Sequence, residues 1–321
     1  MSANTKIEWC DHTFNPWEGC QETSPGCKNC YAEARNARFG GGTAINFGPG
    51  APRRRTSAAN WAMPKRWNAQ ADAFLAQHGR RQRVFCASLA DVFDNAVDPQ
   101  WRADLFSLIQ QTPNLDWLLL TKRIGNVRGM LAELAHGSDP DLTLLDMMPL
   151  PNVWLGATIV NQTEADRDIR KLLDVPARVR FLSMEPLLGP VSFEGLFADP
   201  HDVRDGTNMV EALDWVIVGG ESGPGARPMH PDWARSLRDQ CEAACTPFLF
   251  KQWGEWTPGE NVERQRGTVD TAFLLEDGWH ICPLNLATDD GHIDDEPDLY
   301  RVGKKEAGRL LDGRTHDDFP T

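Results

Sequence analysis

VWLGATIVNQTEADRDIRKLLDVPARVRFLSMEP, residues 153–186, reads as a strand, a helix and a second strand. VWLGAT (153–158) and VRFLS (179–183) are too short for helices and rich in β-branched or aromatic residues, the pattern of buried strands. Between them TEADRDIRKLLDVP opens at an N-cap candidate, Thr163, and stops ahead of Pro176. A helix between two buried strands points to a parallel sheet, because parallel neighbours need a crossover connection.

The alternation extends outward. IEW (7–9), RVFCA (83–87), WLLLT (117–121), WVIVGG (215–220) and PFLF (247–250) have the same character. PQWRADLFSLIQQTP is helix-like, with apolar residues at 101, 105, 108 and 109, and HPDWARSLRDQCEAAC carries Pro231 near its start. Seven strands over about 250 residues fit a parallel β/α barrel or partial (TIM-like) barrel better than a short open sheet. The predicted organisation is a barrel over 1–256, with a cysteine loop after the first strand, then a C-terminal extension or lid over 257–321. A doubly wound sheet is the alternative. Residues 40–64, rich in Gly and Pro, read as a long loop.

Polar residues follow the strands: Ser88 and Asp91, Lys122 and Arg123, Thr158, Glu185, Glu221 and Ser222, Lys251, Gln252 and Trp253. Sites in parallel α/β folds form at the carboxyl ends of strands, so these sets predict a lined mouth. Each residue alone also reads as a helix cap or a strand-end ion pair.

The net charge of −13 argues against a general nucleic-acid binder. The stretch from Arg53 to Arg83 nevertheless holds Arg53, Arg54, Arg55, Lys65, Arg66, Arg80, Arg81 and Arg83 against one acid, Asp72. It reads either as a solvated face or as an anion-binding one. The opposite bias appears at Asp289, Asp290, Asp294, Asp295, Glu296 and Asp298. MSANTKIEWC lacks the apolar segment of a signal peptide and no uncharged apolar run is long enough to span a bilayer, so a cytoplasmic protein is expected.

Reduced thiols in such a compartment point to metal binding or catalysis over disulfides. GCQETSPGCKNCY (19–31) spaces Cys20, Cys27 and Cys30 as C-x6-C-x2-C, with Gly19, Pro25 and Gly26 to turn the backbone around a ligand. Three readings compete. A structural zinc would need a fourth ligand, from Cys10 or His12. Three thiolates on three irons of a [4Fe-4S] cluster would leave the fourth iron open. The third reading is plain packing, which is the expectation for Cys86 and for the helical pair Cys241 and Cys245.

A cysteine triad after the first strand of a β/α barrel resembles the radical S-adenosyl-L-methionine (SAM) enzymes. Their usual spacing is C-x3-C-x2-C with an aromatic residue before the last cysteine; here Asn29 precedes Cys30 and Tyr31 follows it. Longer stretches, IEWCDHTFNPWEGCQETSPGCKNCYAE, LTKR, LSMEPLLGP, VIVGGESGPGARPMHPDWARSLRDQC and PFLFKQWGEW, resemble the phage Gp37/Gp68 family, a domain of unknown function in bacteria and prophages. In that family the triad is usual and the position of Cys10 is more often threonine, which marks Cys10 as incidental.

The resemblance implies a divergent radical SAM group whose phage members are associated with hypermodified DNA bases. Cys20, Cys27 and Cys30 would hold a [4Fe-4S] cluster, and SAM on the open iron would yield a 5′-deoxyadenosyl radical. The implied outcome is an isomerase-like rearrangement or modification of a substrate, with a thymine-type base in phage DNA preferred. It also implies an external electron donor and, for a phage-encoded chain, the bacterial host cytoplasm. Gly219, Gly220 and Glu221 resemble the GGE-type motif that meets the methionyl amine in radical SAM enzymes, although here they follow a late strand. Glu185 is an equal carboxylate candidate, and Lys122, Arg123 and Lys251 suit a carboxylate or phosphate. Trp17, Trp61 and Trp67 are candidates to stack on a flipped base, or are core. The rival reading is a zinc-stabilised nucleotide- or partner-binding accessory protein using Cys10, Cys20, Cys27 and Cys30.

Overall fold

The computed structural model describes residues 2–3, 5–136, 139–194, 212–262, 268–285 and 297–320. The chain forms two compact units, Met1–Thr158 with Arg167–Phe181, and Ile159–Asp166 with Leu182–Thr321.

In the first unit, β1 (His12–Phe14), β2 (Gln82–Cys86), β3 (Leu115–Thr121) and β4 (Val153–Thr158) pair in that order, all parallel. The register sets Phe14 beside Cys86, Val84 beside Trp117 and Leu119 beside Leu155. These strands are buried on both faces, which is why their sequences are continuous apolar runs. Helix α1 (Tyr31–Phe39) follows the cysteine loop. Helix α2 (Pro99–Gln110) starts where Asp98 accepts the Gln100 amide (2.8 Å) and buries Leu105, Phe106, Leu108 and Ile109. Helix α3 (Ile124–Ala132) follows β3 directly.

Helix α4 (Gln162–Leu173) and strand β5 (Val179–Met184) each begin in one unit and end in the other. The side chain of Asn161 accepts the Glu164 amide (3.0 Å), so Asn161 caps α4 in place of the predicted Thr163.

In the second unit, β6 (Trp215–Gly219) pairs parallel with β7 (Phe248–Gln252), and helix α5 (Pro231–Ala243) connects them. The free edge of β7 is covered by the C-terminal segment. Phe250 donates its amide to His316 (3.0 Å), and Asp318 donates to Phe248 (3.2 Å). Residues beyond 255, where the strand pattern fades, form a four-stranded antiparallel sheet. Its strands are β8 (Trp256–Thr257), β9 (Thr268–Leu275), β10 (Gly278–Asn285) and β11 (Leu299–Arg301), in the order β8-β11-β9-β10. Ala226, Trp256, Ala272 and Leu299 form its core. Asp289, Asp290, Asp294, Asp295 and Glu296 lie outside the described residues. Asp298 is tied to the sheet, accepting the Leu274 amide (2.6 Å).

The main sheet therefore contains seven parallel strands, with the two-residue strand Ser2–Ala3 antiparallel on β1, and the chain is mixed α/β. The predicted first strand is displaced. Ile7–Cys10 is a turn closed by the Cys10 amide on Ile7 (3.3 Å), and its apolar signal comes from the buried Trp9. The predicted 40–64 loop contains helix Ala58–Trp61, capped by Ser57, and runs into helix Met63–Asn68, where Pro64 occupies the first turn. Among the described residues no helix is long and apolar enough to cross a membrane.

Candidate functional site

The cysteine loop leaves β1 through Asn15 and a short ribbon in which Trp17–Glu18 pairs with Arg54–Arg55. Gly19 then takes a left-handed backbone (φ +111°) and donates its amide to Leu89 (3.0 Å). A Cβ there would stand 2.4 Å from the Asn46 carbonyl oxygen, so only glycine lets the chain pass. The Cys20 carbonyl accepts the Gly48 amide (2.9 Å). Ser24 caps the turn Pro25–Cys27 by accepting the Gly26 amide (3.1 Å). Cys30 directly precedes α1, and the Tyr31 hydroxyl donates to the Ser88 carbonyl. Asn15 binds both the Ser88 hydroxyl (3.1 Å) and the Leu89 amide (2.7 Å), docking the loop on the chain that follows β2.

Cys20, Cys27 and Cys30 are partly exposed, Cys10, Cys86 and Cys241 are buried, and Cys245 and Cys282 are exposed, so the packing expected of the pair Cys241 and Cys245 holds for Cys241 alone. Burial pushes the Cys20 thiol up to about 11; Asp91 adds to the rise, Arg123 opposes it and Asp94 adds again. Burial alone raises Cys86 and takes Cys241 to about 12, in keeping with the packing expected of them.

A buried charge network stands beside Cys20. Arg123, at the end of β3, brings Nη1 to 3.8 Å from Cys20 Sγ and 3.5 Å from Thr23 Oγ1, while Nη2 donates to the Gln21 carbonyl (3.0 Å). Its side chain, only 8% exposed, lies 3.9 Å from Asp91 and 3.6 Å from Asp94. Asp91 is itself fixed by Thr121 Oγ1 (2.7 Å) and the amides of Phe93 (2.9 Å) and Lys122 (3.0 Å). Asp94 also accepts Arg53 Nε (2.7 Å), in a pair whose side chains are 2% and 4% exposed. Of the expected strand-end residues, Arg123 thus meets the cysteine loop and Asp91 flanks Arg123. Arg53, expected in a basic patch, pairs with Asp94 in the same network. No spacing rule links these segments; the available signal was polar residues at the ends of β2 and β3.

In the second unit, Lys251 Nζ pairs with Glu185 at 3.1 Å, and both side chains are mostly buried. Glu185 lies over Gly219, where a Cβ would stand 2.5 Å from Oε1. Glu221 differs. Arg227 grips it with its own amide (2.8 Å), Nε (2.8 Å) and Nη2 (2.6 Å). Gly220 packs on the chain itself, since a Cβ there would meet the Trp253 carbonyl oxygen at 1.9 Å. Gly220 and Glu221 of the expected GGE-type motif therefore serve backbone packing and an internal ion pair.

Trp17 and Trp67 are buried, Trp67 stacked on His12 at 4.2 Å, and Trp61 lies under Arg55 (4.5 Å). The basic stretch is largely taken up by local acids: Arg53 by Asp94, Arg54 by Glu18, Arg55 by Asp104, Arg80 by Asp11 and Arg81 by Asp116. Arg83 is buried over the Trp154 ring, and burial, reinforced by Arg80, brings its guanidinium down to about 10. Lys65 and Arg66 are exposed.

Among the described residues no group of three or more His, Cys, Asp and Glu side chains is gathered so as to hold a metal ion. The three thiols share a loop without converging. In kind the donor set suits a thiolate-bound centre, and the turns at Gly19 and Pro25–Cys27 supply the backbone such a centre needs. Loading requires the loop to draw the sulfurs together.

Fold and loop define a mixed α/β protein with three part-exposed thiols following its first parallel strand. The chain belongs to the family described as a protein of unknown function, DUF5131, whose model matches residues 4–320. No curated protein and no solved structure matches it.

Proposed function

We propose that this protein is an iron–sulfur enzyme of the radical SAM type, working on a partial-barrel scaffold. The reading is carried by Cys20, Cys27 and Cys30, three part-exposed thiols on one loop after β1, while Cys10, Cys86 and Cys241 are buried and the exposed Cys245 and Cys282 lie on separate segments. These three residues would hold the cluster. When bound, it would supply one electron to cleave SAM into methionine and a 5′-deoxyadenosyl radical that takes a hydrogen atom from the substrate.

The chain's own groups have definite tasks. Each thiol must lose its proton to become a ligand, and the high Cys20 value means that loading releases a proton at neutral pH. Asn15, Ser88 and Tyr31 keep the loop on its support. Lys251 would take the carboxylate and Glu185 the ammonium of a methionyl group only once their own 3.1 Å pair opens, with Gly219 leaving room for Glu185. Glu221 is withdrawn from that role, because Arg227 already occupies both its oxygens.

The substrate class follows the family resemblance: a nucleobase in DNA, rearranged or modified. Arg53, Arg54, Arg55, Arg80 and Arg81 are engaged with acids, so phosphate contacts fall to the exposed Lys65 and Arg66. Binding to duplex DNA should then weaken steeply with salt.

The test is anaerobic incubation of iron- and sulfide-loaded protein with SAM and a reductant. Formation of 5′-deoxyadenosine, absent in Cys20→Ala, Cys27→Ala and Cys30→Ala, supports the reading. Intact SAM with a fully loaded cluster overturns it. Cys10→Ser separates the zinc alternative: it weakens a four-thiolate zinc site and leaves a three-thiolate cluster intact.

A further inference from the structure

Arg123 is the one strand-end cation whose guanidinium reaches a cysteine of the triad among the hydrogen bonds of the described residues. It does so with unusual support. The side chain is 8% exposed, and two carboxylates flank it, Asp91 at 3.9 Å and Asp94 at 3.6 Å. Both carboxylates have further partners. Asp91 accepts a hydroxyl and two amides, and Asp94 accepts the Ala96 amide (3.1 Å) and the buried Arg53. Both terminal nitrogens of Arg123 face a carboxylate and the cysteine loop: Nη1 lies between Asp91 and Cys20 Sγ with Thr23 Oγ1, and Nη2 lies between Asp94 and the Gln21 carbonyl.

We propose that Arg123 is a positioning residue for the metal centre. Held between Asp91 and Asp94, it presents Cys20 and donates a charged hydrogen bond to its sulfur, which raises the reduction potential of the centre that sulfur joins. This rests on the three-thiol reading above. Its physical basis is general. Hydrogen bonds to cluster sulfurs, and positive charge near them, stabilise the reduced form, which carries one more negative charge. A guanidinium suits the task because it stays protonated and its planar fork can serve the sulfur and a carbonyl together.

The geometry also reassigns the residue. A cation after a parallel strand would ordinarily be a candidate for a ligand's carboxylate or phosphate. Here the donors point to the protein's own loop, and Gln21 and Thr23 would have to be released before Arg123 could serve another anion.

The experiment uses the full chain, loaded with iron and sulfide without oxygen. The midpoint potential is read by following the reduced-cluster EPR signal during redox titration, and iron per chain is counted alongside. Arg123→Gln removes the charge and, being two bonds shorter, the reach to the sulfur; its potential should move to more negative values. Arg123→Lys keeps the charge but loses the planar fork whose two nitrogens meet sulfur and carbonyl separately; it should move the same way by a smaller amount. A purely structural role would lower iron content or the unfolding midpoint and leave the potential of the loaded fraction at the wild-type value. That result, in either variant that loads, overturns the inference while the three-thiol reading stands. If wild-type protein binds no reducible iron, the three-thiol reading itself falls, and this inference with it. Should Arg123→Gln fail to fold, Arg123→Lys decides alone, since a wild-type potential there is already contrary.

Discussion

The loop at Cys20–Cys30 and the stretch Gly219–Glu221 were both legible as site motifs, and the structure treats them differently. At Gly220–Glu221 the chain has closed on itself, with Arg227 on the carboxylate and Trp253 on the glycine. At Cys20–Cys30 the supporting contacts are internal, but the three sulfurs remain part-exposed and ungathered. A glycine pair with a carboxylate is a common solution to backbone packing. Three thiols on a polar loop are not. The difference teaches that a motif's residue types carry less functional weight than whether the fold has already answered their chemistry.

The largest effect should come from the support beneath the loop. Asp94→Ala strands the buried Arg53 and loosens Arg123, and should cost about 3–5 kcal/mol in denaturant unfolding. A loss under about 1 kcal/mol would mean the network is incidental to the loop.

Next is Gly220→Ala, which forces a Cβ into the Trp253 carbonyl oxygen and should destabilise by about 3 kcal/mol. An unchanged midpoint would reopen Gly220 as a place of ligand approach.

Glu221→Gln should cost about 1–3 kcal/mol through the Arg227 contacts while leaving SAM binding by loaded protein unchanged. Glu185→Gln should do the reverse, weakening SAM binding. Calorimetric titration of both variants sharpens the contrast, and a loss of binding in Glu221→Gln would break it.

The smallest effect concerns pH. Burial would raise the Asp11 carboxyl, but hydrogen bonds from Arg80 and the Arg83 amide overcome it and hold it below its usual value. A depressed carboxylate stabilises the fold above its unfolded value of about 3.9 and loses that contribution as pH falls through the folded value. Arg80→Ala should therefore lower stability at neutral pH by under about 1 kcal/mol, given the exposure of Arg80, and shrink the loss between neutral and acid pH. An unaltered acid limb would contradict the pairing.

Much of the fold could be read in advance because its strands are buried on both faces, which writes them as continuous apolar runs. Val153–Thr158 matches its predicted bounds, and the other internal strands shift by one or two residues. The first strand was misplaced because Trp9 is buried from a turn, and burial alone imitates a strand over three residues. The antiparallel sheet after Trp256 was missed because its strands are mixed in polarity, with Ile281 and Leu275 exposed. The cysteines were found through residue type and spacing. Arg123 was noticed at a strand end, but its partner was not, because Cys20 lies about a hundred positions away and only the sheet brings them together. The basic stretch misled for a related reason: its acids, Asp11, Glu18, Asp94, Asp104 and Asp116, all lie outside it in sequence.

The central claim is that the cysteine loop holds an iron–sulfur cluster. The most direct measurement is iron, sulfide and zinc per chain after anaerobic reconstitution, for wild type and for the triple Cys20, Cys27, Cys30→Ala variant. About four irons and four sulfides in the wild type, lost in the variant, are the expected result. One tightly held zinc and no stable iron would contradict it, and would leave the loop as a structural zinc knot.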